Sequence, residues 1–175
     1  MATQTIPSLD DLFNEVISDG IAPGAVAIAT TGAETFYHGA YGKMAIDRDD
    51  QMTPDAIFRI ASMTKAITSV AAMTLVDEGA LSLDDLASRY IPRLGRSLSP
   101  RIVDSATSEL KTRPPTSDIT IRHLMTHTGG FGYAFCNRTL ADLNEALIKR
   151  EVLLYDPGTQ WTYGVGINIL GQVIE

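Results

Sequence analysis

The pattern of apolar and polar positions along residues 8–42 predicts one helix followed by a hairpin. Apolar side chains between Ser8 and Asp19 recur at the i, i+3, i+4 spacing that places them on one face of a helix. Two apolar segments, Ala25–Thr30 and Thr35–Tyr41, then lie on either side of a Thr31-Gly32 turn. Short apolar runs separated by such a turn are typical of paired strands, so we expect the helix to accompany two antiparallel strands.

Further helices are predicted in the rest of the chain. From Ser62 to Glu78 nearly every position is small or apolar, and Gly79 follows. A helix that is apolar most of the way round is usually buried, so we expect this helix to lie in the interior. Shorter helices are predicted at Leu83–Tyr90, Thr120–His127 and Thr139–Arg150, and a last apolar segment covers Val165–Ile174.

Composition and charge exclude several classes of function. The chain has 175 residues, of which 45% are hydrophobic and 20% charged, as in soluble globular proteins. Its net charge of −7, without a basic and aromatic run, argues against binding to nucleic acid or to an anionic membrane surface. The start of the chain lacks the apolar stretch of a signal peptide, and a single cysteine, Cys136, allows no internal disulfide. We therefore expect a cytoplasmic protein, and we expect no cofactor because no phosphate-binding or dinucleotide motif occurs.

The tetrad Ser62-Met63-Thr64-Lys65 is the first candidate for chemistry. A serine hydroxyl is a poor nucleophile until a base takes its proton, and helical residues three apart share a face, so Lys65 can reach the Ser62 oxygen. Burial would lower the pKa of Lys65, as a general base requires. The same spacing recurs at Ser108 and Lys111 in a polar segment. The tetrad alone therefore favours a helix-capping serine with an exposed lysine over a catalytic pair.

Four ordered blocks give the tetrad its context. The segment Phe58-Arg-Ile-Ala-Ser62-Met-Thr-Lys65 resembles the nucleophile segment of the serine β-lactamase and penicillin-binding superfamily, and most resembles the class C β-lactamase-like branch, which includes family VIII carboxylesterases. Three other segments resemble that branch's blocks G-x-L-x-L-D-D, R-H-L-L-T-H-T-S-G and P-G-x-x-W-x-Y-S: Gly79–Asp85, Ile121–Gly130 and Pro157–Gly164.

The resemblance implies an α/β fold of the α+β type with two subdomains. Residues 8–42 would belong to an antiparallel sheet flanked by helices, and residues 62–163 would form a mainly helical subdomain and the cleft. Residues 1–175 would be the N-terminal part of one such domain. The family's C-terminal half includes a strand with a Lys-Thr-Gly, His-x-Gly or Trp-Gly-Gly motif, which supplies one backbone donor of the oxyanion hole beside the Ser62 N–H. Nothing after Tyr163 matches that strand, so we expect the chain alone to be a poor catalyst.

The resemblance also implies roles for three residues. Ser62 would form the acyl-enzyme, and Lys65 would share or hold the proton. Tyr163 would relay protons between the nucleophile, the leaving group and the attacking water. Nearby positive charge lowers the pKa of a tyrosine, and Lys65 is the expected source. Without the family context, Tyr163 would be read as a tyrosine that packs against Trp161.

Departures from the family pattern bear on the substrate. The tyrosine block reads Tyr163-Gly164-Val165 instead of Tyr-Ser-Asn, so it lacks the asparagine amide with which class C β-lactamases hold a β-lactam side chain. Ester hydrolysis or acyl transfer is therefore favoured over β-lactamase action. Tyr-Gly together with the aromatic stretch at 132–135 is similar to fungal statin side-chain acyltransferases. The residues expected to contact substrate are Tyr133, Phe135, Trp161, Gly164 and Val165.

These observations predict a serine hydrolase of carboxylic esters, in which Ser62 is acylated and the acyl group passes to water or an alcohol. The partner would be a small-molecule ester or acyl donor, and self-association into a homo-oligomer stays open. Three alternatives remain: a β-lactamase or D-Ala carboxypeptidase, a catalytically silent binding module, and a metal enzyme using His123 and His127. The histidines are four residues apart but have no evident third ligand, so we expect no metal.

Overall fold

The computed structural model describes residues 6–95, 101–103, 110–136, 140 and 152–175. The chain divides into two compact units, Met1–Arg59 and Ile60–Glu175. No helix in the described part of the chain is long and apolar enough to cross a membrane.

The first unit contains the predicted helix and hairpin. Helix α1 spans Pro7–Ser18, and strands β1 (Gly24–Thr30) and β2 (Thr35–Gly42) pair antiparallel. The helix begins one residue before the predicted Ser8, because proline is well suited to a first helical position where no N–H is needed. The Tyr37 hydroxyl of β2 donates to an Asp10 carboxylate oxygen of α1 at 3.0 Å, which ties the helix to the strand.

The second unit contains the remaining helices. Their bounds are α2 at Thr64–Asp77, α3 at Ile121–Met125 and α4 at Gly166–Ile174, with 3₁₀ turns at Ala61–Met63, Ala87–Arg89, Pro92–Gly95 and Ala134–Cys136. Short strands β3 (Arg101–Val103) and β4 (Leu110–Thr112) pair antiparallel. The largest fully buried side chains of this unit are Ile121, Leu124, Leu153 and Leu170. The core therefore lies around α3 and α4.

Two helix predictions need correction. Helix α2 is not buried all round: Ala72 is its buried residue among those described, whereas Ile67 and Val70 are 61% and 67% exposed. The predicted helix at Leu83–Tyr90 is only a 3₁₀ turn, because the backbone there pairs with another segment. Ala87 N–H donates to the Ile119 carbonyl at 2.8 Å instead of closing a helical turn. The helix predicted at Thr139–Arg150 falls outside the described residues, apart from residue 140.

Helix α3 is shorter than predicted and begins where expected. Thr120 is its N-cap and accepts a hydrogen bond from the His123 N–H at 3.2 Å. In return, His123 Nδ1 accepts from the Thr120 N–H at 3.3 Å. The helix ends before His127, whose φ of +58° lies in the left-handed region. This turn directs the chain from the core towards the candidate site.

Candidate active site

Ser62 lies in a tight turn at the start of α2. The residue before it, Ala61, has a φ of +47°. A non-glycine residue in this region costs about 1–2 kcal/mol, and strain of this kind is concentrated at functional sites. The 3₁₀ turn Ala61–Met63 then leads directly into the helix, with the Met63 N–H bonded to the Ile60 carbonyl at 3.0 Å. Ser62 is therefore held at the positive end of the α2 dipole, where developing negative charge is stabilised.

The structure brings the three predicted catalytic side chains together. Lys65 Nζ donates to Ser62 Oγ at 3.2 Å, as expected from one turn of helix. The Tyr163 hydroxyl donates to the same Ser62 oxygen at 2.7 Å, although Tyr163 is 101 residues further along the chain. Lys65 Nζ also lies 4.9 Å from the centre of the Tyr163 ring. A nucleophile, a cation and a proton carrier thus meet within hydrogen-bond distance.

The electrostatics of the site correct one prediction. The pKa of Lys65 is raised, not lowered, because its interaction with the Tyr163 hydroxyl outweighs desolvation. Lys65 is only half-buried, because α2 is not the buried helix that the sequence predicted. In the same contact, Lys65 and then Ser62 lower the pKa of Tyr163 below its ordinary value, the direction expected from Lys65. The geometry therefore favours Lys65 as a retained ammonium and Tyr163 as the group that takes the proton of Ser62.

Tyr163 is positioned by backbone hydrogen bonds between two segments. The Gly158 N–H donates to the Thr128 carbonyl at 2.8 Å, and the Thr162 N–H donates to the His127 carbonyl at 2.9 Å. The residue after Tyr163 is held as well, since the Gly164 N–H donates to His127 Nδ1 at 3.4 Å. The chain around Tyr163 is thus tied to the turn that follows α3.

Close packing explains why a glycine follows Tyr163. A Cβ atom on Gly164 would lie 2.6 Å from the Gly132 Cα and 2.7 Å from the Phe131 carbonyl oxygen. The serine of the Tyr-Ser-Asn pattern would therefore not fit this backbone. Gly164 is buried and Val165 packs against the core. The packing gives both a structural role, and their contact with substrate stays a prediction.

The other predicted substrate residues form an aromatic surface. Tyr133 and Phe135 stack with ring centres 4.9 Å apart, and Lys65 Nζ lies 5.7 Å from the Tyr133 ring. Phe135 is 81% exposed and Trp161 is 66% exposed. Exposed aromatic side chains beside a nucleophile can bind an apolar acyl or alcohol group. This arrangement is consistent with the predicted contact of the three residues with substrate, and that contact stays a prediction.

One residue near the site escaped the sequence argument. Asn168 Oδ1, on α4, accepts a hydrogen bond from the Tyr133 hydroxyl at 3.0 Å. Asn168 also lines a cavity of about 240 Å³ beside Lys65, together with Ala61, Thr64, Thr68 and Ile167. An amide is thus present near the site, although position 165 carries a valine. The available signal was a polar residue in a mostly apolar segment, where Asn168 and Gln172 are the polar positions.

The rings of His123 and His127 each make a hydrogen bond with the backbone. His123 Nδ1 accepts from the Thr120 N–H, and His127 Nδ1 accepts from the Gly164 N–H. Within the described residues, no group of three His, Cys, Asp or Glu side chains could hold a metal ion. In each histidine, the Nδ1 atom is therefore occupied by a backbone N–H.

Curated proteins that the chain matches include one named as an esterase and one named as an acyltransferase. The chain is 30% identical to Esterase EstB of Burkholderia gladioli over 185 residues, which is 95% of this chain and 44% of the esterase. It is 28% identical to Acyltransferase mokF of Monascus pilosus over 195 residues, which is 99% of this chain and 46% of that enzyme. The chain therefore spans less than half the length of these relatives.

A solved structure gives the same result for the fold. Simvastatin Synthase (LovD) from Aspergillus terreus superposes with a TM-score of 0.80 at 26% identity, over 99% of this chain and 49% of the other. The predicted β-lactamase-like fold of helices and antiparallel strands is confirmed by this likeness. The assignment of residues 8–42 and 62–163 to two subdomains stays a prediction. Since the family model described as Beta-lactamase matches residues 9–175, the chain belongs to the β-lactamase family.

Proposed function

We propose that this chain carries the nucleophile side of a serine hydrolase that acts on carboxylic esters through an acyl-enzyme on Ser62. The observation that carries the proposal is the contact of Ser62 Oγ with two groups, the Tyr163 hydroxyl at 2.7 Å and Lys65 Nζ at 3.2 Å. A serine hydroxyl needs a base in contact with it to become nucleophilic. Tyr163, with its pKa lowered by Lys65, meets that requirement.

The proposed reaction has two steps. The first step starts from the tyrosinate form of Tyr163, whose oxygen takes the proton of Ser62 while Ser62 Oγ bonds to the ester carbonyl carbon. The bond from that carbon to the alkoxide oxygen then breaks, and the alkoxide leaves with the proton from Tyr163, which restores the tyrosinate. In the second, Tyr163 takes a proton from water or an alcohol, which displaces Ser62 from the acyl carbon, and the proton returns to Ser62 Oγ. Lys65 keeps its charge throughout and stabilises the tyrosinate.

The substrate class rests on the relatives and on the aromatic surface. One relative's name is that of an esterase and another's is that of an acyltransferase. Acyl transfer to an alcohol is therefore the second candidate function. Exposed Phe135 and Trp161 support a small apolar ester as the partner. The proposal includes neither nucleic acid nor a membrane, because the net charge is −7, and it places the protein in the cytoplasm.

The oxyanion site limits what this chain would do alone. Ser62 N–H, in the 3₁₀ turn that leads into α2, would supply one donor, and a second donor is expected from residues beyond this chain. Removal of one such donor costs about 10²–10³ in rate in other enzymes. We therefore propose that full activity belongs to a longer polypeptide containing these residues.

Substrate turnover tests the proposal. A longer polypeptide and this chain would each be assayed with p-nitrophenyl butyrate and with nitrocefin, and Ser62→Ala would be the matched control. We expect butyrate ester turnover that depends on Ser62 and exceeds nitrocefin turnover. Faster turnover of nitrocefin would favour the β-lactamase alternative. Ester turnover that survives Ser62→Ala would overturn the assignment of the nucleophile.

A further inference from the structure

His127 lies directly behind the Tyr163 side of the site. It follows α3 with a φ of +58°, and its side chain is half-buried. Its ring packs against the Tyr163 ring with centres 4.8 Å apart and meets Trp161 edge-on at 6.1 Å. The proposed reaction uses no proton of His127, so these contacts call for another explanation.

One residue binds the backbone N–H groups of both neighbours of Tyr163. The His127 carbonyl accepts from the Thr162 N–H at 2.9 Å. His127 Nδ1 accepts from the Gly164 N–H at 3.4 Å. The backbone on either side of Tyr163 is therefore attached to the same residue. Since the hydroxyl reaches Ser62 at 2.7 Å, this double attachment determines where the phenol points.

The hydrogen bond between the Gly164 N–H and His127 Nδ1 depends on the charge of the His127 ring. Nδ1 can accept a hydrogen bond only when it carries no proton, so the neutral ring must hold its proton on Nε2. Protonation would turn Nδ1 into a donor that faces the Gly164 N–H. Among the described residues, the elements packed against His127 present two titratable groups, Lys65 from α2 and Tyr163 itself. Burial and then the Lys65 ammonium lower the pKa of His127, which keeps the ring neutral at neutral pH.

We infer that His127 is a positioning residue for Tyr163 that acts only in its neutral form, so that acid disengages Tyr163 from Ser62 by protonating a residue outside the reacting groups. The inference rests on the proposed function, because it assumes that Tyr163 takes the proton of Ser62. It also predicts a structural consequence that can be measured without any reaction.

Two substitutions separate the hydrogen bond from the backbone shape. His127→Asn keeps an acceptor oxygen near the Nδ1 position and tolerates the left-handed backbone, but it does not titrate. His127→Gly tolerates the same backbone and removes the acceptor. Both variants keep the carbonyl that binds the Thr162 N–H. A difference between them therefore reports on the Nδ1 contact.

The first readout is the rate at which a fluorophosphonate labels Ser62 between about pH 5 and about pH 8, the range in which histidine titrates. We expect the wild-type plot of log rate against pH to gain one unit of slope below the pKa of His127. The Asn variant should lack this change and stay within about tenfold of wild type at neutral pH, and the Gly variant should be slower by about 10². The inference would be overturned if the Asn variant kept the extra unit of slope at acidic pH. It would also be overturned if the Gly variant were labelled at the wild-type rate.

A second readout separates this inference from the proposed function. Carbon-13 NMR of the tyrosine Cζ atoms reports the pKa of Tyr163 in a protein that is not turning over. We expect that pKa to rise towards its ordinary value in His127→Gly and to stay low in His127→Asn. If Ser62 is never labelled, the proposed function fails while this comparison still judges His127. If Ser62 is labelled and the Tyr163 pKa is equal in all three proteins, the positioning role fails alone.

Discussion

The two sides of the candidate site are held in place by different means. Ser62 and Lys65 are three residues apart at the start of α2, so the helix itself aligns them. Tyr163 reaches Ser62 from 101 residues away and is aligned by backbone hydrogen bonds to the turn after α3. The first side depends on local geometry, and the second depends on the packing of distant segments.

Burial follows the same division. On α2, Ile67 and Val70 are each more than 60% exposed, and so is Met63 in the turn before it. Around α3 and α4, by contrast, Leu124 and Leu170 are fully buried. Disturbance of the core should therefore move Tyr163 before it moves Ser62 or Lys65.

The largest effect is expected from Tyr163→Phe. The ring would still pack against His127, but no oxygen would remain to take the proton of Ser62. General-base catalysis contributes about 10²–10⁴ in rate, and we expect a loss of that size in the rate of Ser62 acylation. Tyr133→Phe is the matched control, since it also removes one hydroxyl beside Lys65, the one bonded to Asn168. Equal losses in the two variants would contradict a special role for Tyr163.

Truncation of a core side chain near α3 should cost more unfolding free energy than truncation of a side chain on α2. Leu124→Ala removes a fully buried side chain and should lower the free energy of unfolding by about 2–5 kcal/mol. Ile67→Ala removes a side chain that is 61% exposed on α2, and a surface change of this kind costs within about 0.5 kcal/mol. Urea unfolding of both variants measures the difference. A large loss from Ile67→Ala would show that the α2 face is covered.

The next largest effect is expected from a single methyl group added beside Tyr163. Gly164→Ala would place a Cβ 2.6 Å from the Gly132 Cα, and overpacking of this kind costs about 1–3 kcal/mol. We also expect slower labelling of Ser62, because Tyr163 is the adjacent residue. Gly171→Ala on α4 meets no atom within 4 Å and should stabilise the helix by up to about 1 kcal/mol. Similar unfolding energies for the two variants would contradict the close packing at Gly164.

The smallest effect concerns the turn that precedes Tyr163. The Arg113 guanidinium lowers the pKa of Asp156 to about 2, helped by the Thr116 N–H. A carboxyl whose pKa is lowered by folding stabilises the protein fully above its ordinary value of 3.8, and this stabilisation is lost as the pH falls towards about 2.

Asp156→Asn should therefore lower stability at neutral pH and reduce its loss in acid. The measurement is the urea midpoint at neutral and acidic pH. Asp49→Asn is the control, because that carboxylate is 96% exposed in its pair with Lys43 and should contribute little. If both variants behave alike, the Arg113 pair does not stabilise the turn.

Local features of the chain could be predicted from the sequence. The helix and hairpin of the first unit follow from periodicity, and Thr120 caps α3 as the pattern indicated. The contact between Ser62 and Lys65 follows from helical spacing. Each of these depends on residues that are close in the chain.

Features that depend on distant segments could not be derived in this way. Tyr163 was identified only through the family resemblance, because no local rule connects it to Ser62. The predicted direction of the Lys65 pKa shift was wrong, because the shift depends on the Tyr163 hydroxyl, which comes from far along the chain. Asn168 was missed for the same reason, because only the packing of α4 brings it to Tyr133.

The central claim is that Ser62 is the nucleophile and that Tyr163 activates it. Its most direct test is the intact mass of a longer polypeptide containing these residues, and of this chain, after brief exposure to a fluorophosphonate. We predict one adduct on the longer polypeptide, none in its Ser62→Ala variant, and a much slower adduct in Tyr163→Phe. No adduct on the folded longer polypeptide, or one that persists in Ser62→Ala, would contradict the account.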